Sequence, residues 1–332
     1  MTFVCPACKG ELAGTYECRA CERSFPVIHG IPDFRLFPDP YIGIEEDRQK
    51  AAHLFDAAQT RGFREMLDYY YAITKEVPSG LAARWTQHAL ADAEVAALLV
   101  REAGFNRGRS LLDVGCGTGG LLIAAKPGFE SVAGVDVALR WLIIGAIRMR
   151  EAGVRADLVC ANAEALPFPA ESFDHITCVD TVEHLREAGV AMREAHRVAA
   201  PGGRSLWATN NRYAPLPDPQ VHLWGVGWLP RARQADYVAW RRKNLHRYRV
   251  QMRSAWELDR LVREGGFETR GAHAAPVFAP HRPKLASMLA AYNRIRRIPL
   301  LEAVAPRIWA IGTKMRHQPQ SGTGSVSEER AT

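Results

Sequence analysis

No run among the 332 residues approaches the ~18 consecutive apolar side chains that a membrane-spanning helix needs. The opening MTFVCPACKG has neither the basic n-region nor the apolar h-region of a secretory signal, so a cytoplasmic protein is expected. No internal repeat is present, which excludes a solenoid or propeller. Cysteine is sparse: four of seven fall at positions 5, 8, 18 and 21, and Cys116, Cys160 and Cys178 are scattered downstream. In a reducing compartment the first four are better metal ligands than disulfide partners. The other three read as small core residues, because none has the context of a cysteine nucleophile.

Apolar content of 47% and charged content of 24% are ordinary for a globular chain long enough for one large domain and a small module. Acid is almost missing from one place. Residues 231–253 hold eight Arg or Lys against the single Asp236, a local excess equal to the net charge of +7 for the whole chain. The basic character is therefore local, either a solvated helix face or a surface for an anionic partner.

Two knuckles, Cys5-x-x-Cys8 and Cys18-x-x-Cys21, offer the tetrahedral thiolate set that Zn²⁺ prefers. About 35 residues bury too little apolar surface to fold alone, so a metal would supply the missing stability. With its FPVIHGIPDF tail, the segment resembles the short zinc-ribbon domains of bacterial proteins and of tRNA methyltransferase activator subunits. Residues 1–36 are assigned to it.

Residues 37–105 read as a helical lead-in or lid, with one helix up to a break at Pro78-Ser79-Gly80 and a second from about 81 to 103. From 110, strand-like runs (SLLDV, SVAGVD, ADLVCA, FDHITCVD, RSLWATN) alternate with helical stretches near 119–126, 138–152 and 186–199. That alternation predicts a doubly wound, mostly parallel α/β sheet over 106–316. APGGR at 200–204 reads as a turn into the fifth strand. Residues 212–253 interrupt the pattern with prolines, tryptophans and the basic run. A capping box, Ser254 with Glu257, opens the next helix. FETRGAHAAPVFAP and RIWAIGTKM are expected to close the sheet, with helix near 283–296 between them. The polar tail 317–332 is expected to be disordered.

LLDVGCGTGG, residues 111–120, decides the ligand. Gly115, Gly117 and Gly120 satisfy the dinucleotide spacing, and Asp136 follows Gly117 by 19 residues. A carboxylate at Asp113 is badly placed for a pyrophosphate on a helix N-terminus. It is complementary to the sulfonium and ammonium of S-adenosylmethionine.

Here the chain resembles the class I S-adenosylmethionine-dependent methyltransferases, especially the type-11 group, through D-V-G-C-G-T-G, Asp136, ANAEALPF, EHL and PGG. The resemblance implies that Asp113, Gly115, Cys116, Gly117 and Gly119 hold the methionine part. It places Asp136 and Val137 at the ribose, Asn162 and Ala163 at the adenine, and Asp180 close by. The family usually has Asp where this chain has Asn162, whose amide oxygen is still expected to accept from the adenine amino group.

Asp180, Glu183 and His184 lie where the methyl group should sit, and His184 is the best candidate base because imidazole titrates near neutrality. EHL as a purely structural segment remains the alternative. His222 is a further acid–base candidate. No N-P-P-Y or D-P-P-Y follows the fourth strand, so the nucleobase amino-group enzymes are not indicated.

Three readings of the whole remain. Insertions after strand five commonly shape acceptor pockets, so 213–230, with Trp224 and Trp228, would enclose a small or lipid-linked metabolite, with peripheral contact to an anionic surface. Alternatively, the ribbon and the Arg-rich run would hold ribosomal or transfer RNA. A non-catalytic binding protein that keeps the cofactor fold is the third.

Overall fold

The computed structural model describes residues 1–74, 77–242 and 248–316. The expected tail disorder, and Lys243 and Arg247 of the basic run, lie outside those residues. Among the described residues no helix is long and apolar enough to cross a membrane.

Four two-residue strands form the N-terminal ribbon: β1 (Leu12–Ala13) with β2 (Glu17–Cys18), and β3 (Val27–Ile28) with β4 (Ile31–Pro32). Three helices follow, α1 (Ile44–Ala57), α2 (Phe63–Ile73) and α3 (Ser79–Glu102). The single helix expected before Pro78 is thus two. The chain breaks at Gly62, where the Glu65 side chain accepts the Gly62 N–H at 3.0 Å and starts a new helix.

The rest alternates as expected: β5 (Gly108–Val114), α4 (Gly120–Ala125), β6 (Phe129–Asp136), α5 (Leu139–Glu151), β7 (Asp157–Cys160), β8 (Phe173–Val179), α6 (Ala188–Val198) and β9 (Ala199–Asn210). The 200–204 turn gives way to strand. β9 runs through both glycines, because the Gly202 N–H reaches the Lys314 carbonyl and the Lys314 N–H reaches the Gly203 carbonyl. Then come α7 (Arg231–Arg241), α8 (Ala255–Glu264) with the expected Ser254–Glu257 capping box, β10 (Glu268–Ala274), α9 (Ala286–Ile295), α10 (Pro299–Ala303) and β11 (Arg307–Thr313).

The large sheet has the order β10-β11-β9-β8-β5-β6-β7. β7, β6, β5, β8 and β9 are parallel, and β11 inserts antiparallel between β9 and β10. Alternation along the strands sends Leu111 and Val132 to one face and Leu112, Val114, Ala133 and Val135 to the other. Helices α1 to α5 cover the first face. α6 and α8 cover only part of the second, since residues 161–172 between β7 and β8 form no helix.

The ribbon occupies that gap. Val4 N–H reaches the Pro167 carbonyl and Phe34 N–H the Cys160 carbonyl, while Phe3 packs on Phe168. Cys5, Cys18, Phe25 and Phe34 belong to the same apolar cluster as Val135, Val159 and Phe168. The ribbon therefore shares the core of the sheet. Phe34→Ala, which empties a fully buried site among Phe3, Tyr16 and Phe25, should cost about 3–5 kcal/mol. Denaturant unfolding followed by tryptophan fluorescence should show one shifted transition. A separate early loss of the ribbon with an unchanged main transition would contradict the shared core.

Candidate functional site

In the sheet, β5 lies between β6 and β8, so the chain leaves β5 to one side and returns on the other. Ligands bind at such switch points, outside the carboxyl ends of the strands. A cleft of about 820 Å³ opens there, lined by Gly115, Gly117, Asp136, Val137, Asn162 and Ala163. Asp180 and His184 line it from the β8 exit. A smaller cavity of about 200 Å³ shares Gly115, Gly117 and Asp180 with the cleft and adds Asp113, Cys116 and, from α3, Asp92.

The glycine loop is built for close approach. Gly115 has φ 78°, and a Cβ there would sit 2.1 Å from Thr181 Oγ1. Gly117 has φ 50° and faces open space. Its N–H donates to Asp136 Oδ2 and Ala138 N–H donates to Oδ1, both at 2.8 Å, so the Asp136 carboxylate is fixed at the cleft wall. Asp113 is buried in β5 and accepts from Thr177 Oγ1 at 2.8 Å. Burial pushes its carboxyl up to about 7. Gly119 lines neither cavity, contrary to expectation. Gly119 has φ 77° at the N-cap of α4, a left-handed conformation that favours glycine.

One wall of the cleft was not foreseen. The strap from ribbon to α1 places Phe37, Asp39 and Tyr41 in it. Asn162 Oδ1 accepts from the backbone N–H groups of Leu36 (2.8 Å) and Phe37 (3.3 Å), and its Nδ2 donates to the Phe37 carbonyl at 3.1 Å. The amide oxygen expected to receive the adenine amino group is thus committed to the strap. An Asp would keep the acceptors and lose the donor, which gives the departure from the family pattern a physical reason. Buried ion pairs hold the strap behind Asn162. Arg35 pairs with Asp33 and Asp47, while Arg140 pairs with Asp47 and Asp39, all within 2.6–2.8 Å. The only advance signal was charge inside an otherwise apolar tail, DFRLFPDP.

At the β8 exit, Asp180 adopts φ 53°, a strained conformation for a residue with a side chain, and accepts from Arg307 of β11 at 2.7 Å. His184 Nδ1 lies 2.9 Å from Tyr41 Oη, and Gln220 Nε2 lies 3.4 Å from its Nε2. Glu183 does not join them. It is buried, accepts from Thr209 Oγ1 of β9 at 2.8 Å, and lines neither cavity. Burial pushes its carboxyl up. His222 also lies outside both cavities. Trp224 and Trp228, expected to enclose an acceptor, are 62% and 57% exposed and point to solvent. From the 212–253 segment the cleft receives Gln220, Arg249 and Gln251 instead.

In the ribbon, the ligand atoms of Cys5, Cys8, Cys18 and Cys21 lie within 4.8 Å of one another. The knuckles repeat one geometry: Cys5 N–H reaches the Gly10 carbonyl, Cys18 N–H the Arg23 carbonyl, and Lys9 and Glu22 both take positive φ. The Cys5–Cys21 and Cys8–Cys18 sulfurs are 3.6 and 3.4 Å apart, close to the spacing around an ion held tetrahedrally by four thiolates with bonds of about 2.3 Å.

Residues 112–206 match the family described as a methyltransferase domain. The central domain has the Rossmann-like methyltransferase fold. The chain is similar to a ubiquinone biosynthesis O-methyltransferase of Pseudomonas aeruginosa, 30% identical over 166 residues, covering 49% of this chain and 66% of that protein. A Thiobacillus denitrificans protein of the same name is 32% identical over 166 residues with the same coverage. One from Pseudomonas paraeruginosa is 33% identical over 121 residues, covering 36% of this chain and 50% of its own. This chain thus spans half to about two thirds of the length of these relatives. Among solved structures, the [4+2]-cyclase SpnF aligns with a TM-score of 0.46 and 22% identity, covering 70% of this chain and 83% of its own. Phosphoethanolamine N-methyltransferase 2 of Haemonchus contortus aligns with a TM-score of 0.45 and 16% identity, covering 67% and 53%.

Asn162→Asp separates the two roles of that residue. If Asn162 clamps the strap, the lost donor should weaken S-adenosylmethionine binding about tenfold by calorimetry. Unchanged or tighter binding would return Asn162 to direct adenine contact. Elemental analysis of the purified protein should find about one zinc per chain. Metal-free protein with four independently alkylated thiols would refute the zinc site.

Proposed function

We propose that the protein transfers the methyl group of S-adenosylmethionine to an oxygen or nitrogen of a small or lipid-linked metabolite, and that its ribbon holds a structural Zn²⁺. The observation that carries this reading is the pair of joined cavities with a carboxylate in each. Asp136, anchored by two backbone N–H groups, keeps lone pairs free for ribose hydroxyls in the larger one. Asp113, with Asp92 and Asp180 nearby, makes the smaller one suitable for an ammonium and a sulfonium. The same acids disfavour a pyrophosphate. Asn162 and the strap would then bound the nucleoside side of the cleft.

Bound there, the cofactor supplies an electrophilic methyl group. The chain's own part is positioning and proton removal. In-line displacement gains most of its rate from alignment. His184, held by Tyr41 and Gln220 at the cleft wall, takes the acceptor proton where one must leave. The name of the curated relatives supports an oxygen acceptor on a lipid-linked metabolite. The RNA reading has weaker support. Arg231 pairs with Glu257 and Arg242 donates to the Val221 carbonyl, so part of the basic run is engaged within the fold.

Titration calorimetry should show saturable binding of S-adenosylmethionine and none of NAD, and Asp136→Ala should lose at least about tenfold in affinity as ribose acceptors disappear. The buried Asp113 carboxyl, pushed up to about 7, is partly protonated near neutrality in the empty protein. A cationic ligand stabilises its ionised form. Affinity should therefore rise with pH through about 7, and binding below that pH should release a proton. Binding independent of pH from about 6 to 8 would count against Asp113 as the counter-charge.

A further inference from the structure

We infer that the carboxyl end of the sheet carries a docking surface for an anionic phospholipid bilayer, built from two excursions that flank the cleft. The proposal rests on the methyltransferase reading only for its purpose, to bring the cleft to a membrane-held acceptor.

Both excursions leave the sheet at the same end. β9 ends at Asn210, paired with Arg307, and β10 ends at Ala274, paired with Ile308. Residues 211–242 and 248–253 on the one hand and 275–306 on the other therefore lie beyond the strand ends. Contacts join them: the Trp228 ring packs edge-on against Tyr213, whose N–H donates to Asn211 Oδ1. Asn211 Nδ2 in turn donates to the Ala303 carbonyl of α10. The first also borders the site through Gln220 and Arg249, and the second leads into Arg307 of β11, which lines the smaller cavity.

Their exposed side chains are of two kinds. Apolar and aromatic groups stand out from both: Trp224, Trp228 and Trp240 on the first, and Met288, Ile298 and Leu300 on the second, Leu300 being 77% exposed. Helices α9 and α10 bury no residue fully. Between these groups lie exposed cations, Arg233 and Arg241 on the first and Arg282, Lys284, Arg294 and Arg297 on the second. Among the described residues none of these six forms an ion pair.

Solvent-facing tryptophan beside unpaired arginine is the chemistry of interfacial segments. The indoles enter the headgroup region and the cations meet lipid phosphates. A phosphate-tracking RNA surface would use the cations and leave Met288, Ile298 and Leu300 without a purpose. The anionic bilayer uses both kinds.

The test is flotation of the full-length, metal-loaded protein, without S-adenosylmethionine, on vesicles of phosphatidylcholine alone or mixed with phosphatidylglycerol. Binding to the mixed vesicles and far less to the neutral ones is expected. Arg294→Glu with Arg297→Glu should weaken it roughly fivefold or more per charge. Trp224→Ser with Trp228→Ser should weaken it at least as much, while cofactor binding is kept. Brominated acyl chains should quench wild-type tryptophan fluorescence, and less so in the double Trp variant. No vesicle binding overturns the proposal, as does binding that ignores both sets of variants. Sub-micromolar, sequence-selective binding to RNA with none to vesicles overturns it in favour of a nucleic-acid surface. Because flotation needs no methyl transfer, failure here leaves the methyltransferase reading standing, and failure of cofactor binding leaves this result standing.

Discussion

Six charges buried or half-buried behind the cleft set the position of its outer wall. Asp33, Asp39 and Asp47 face Arg35, Arg48 and Arg140, so the cluster is neutral and every carboxylate has a guanidinium partner. Removing a single member would leave an uncompensated buried charge, at a cost of about 3–5 kcal/mol. Such a cluster is a poor source of net stability and a good source of register. Arg35 also donates to the Val137 carbonyl, and Asp47 accepts the Leu139 N–H, so the cluster grips the backbone just after Asp136. Ribbon tail, first helix and ribose-side loop are thereby fixed to one another. Burial pushes the Asp33 carboxyl up, and Arg35 with Arg48 outweighs it and holds the group below the usual carboxylate range. Asp33 therefore stays ionised through neutral pH, and its contribution is lost as falling pH protonates it.

The ribbon's place follows from an omission elsewhere. With no helix between β7 and β8, the outer face of β6 and β7 would be open to water. The ribbon is too small to own a core, and the sheet lacks a cover; each supplies what the other needs. The same chain then continues as the strap, with its amides held by Asn162. Thiolate knuckles, sheet face and cleft wall are thus consecutive parts of one packed path, Cys5 to Tyr41. Metal at the knuckles would act on the cleft through packing, with no direct contact between the two.

What could be read in advance was whatever repeats locally. The five parallel strands, the glycine loop and the acid after β6 each rest on a period of two or on a turn that demands glycine, and the structure places them where expected. The break at Gly62 escaped because apolar spacing continued across it and only a cap distinguishes the two helices. Glu183 and Gly119 lie outside the two cavities for a different reason. Neighbours in sequence to a loop need not face the cleft, and Thr209, which claims Glu183, lies 26 residues away. Asn162 lines the cleft, and its partner was not foreseen because the strap arrives from 125 residues earlier. Trp224 and Trp228 gave the least legible signal. Aromatic density alone does not say which side of a loop meets solvent.

The charge distribution has a direction once both surfaces are considered. Acids are gathered inside, Asp113 and Asp136 at the glycine loop with Asp92 and Asp180 beside them. Unpaired arginines stand outside, on the two excursions around the cleft. Low-dielectric walls keep the inner acids effective over several ångströms, whereas the outer cations act through water and fade within about a Debye length. The interior thus selects a cationic ligand while the rim attracts an anionic partner, and neither field cancels the other. Exposed cations on the excursions at the carboxyl end of the sheet would favour an approach to a negative surface from that end. Composition alone gives the sum of these charges, and the fold converts that sum into a sequence of encounters.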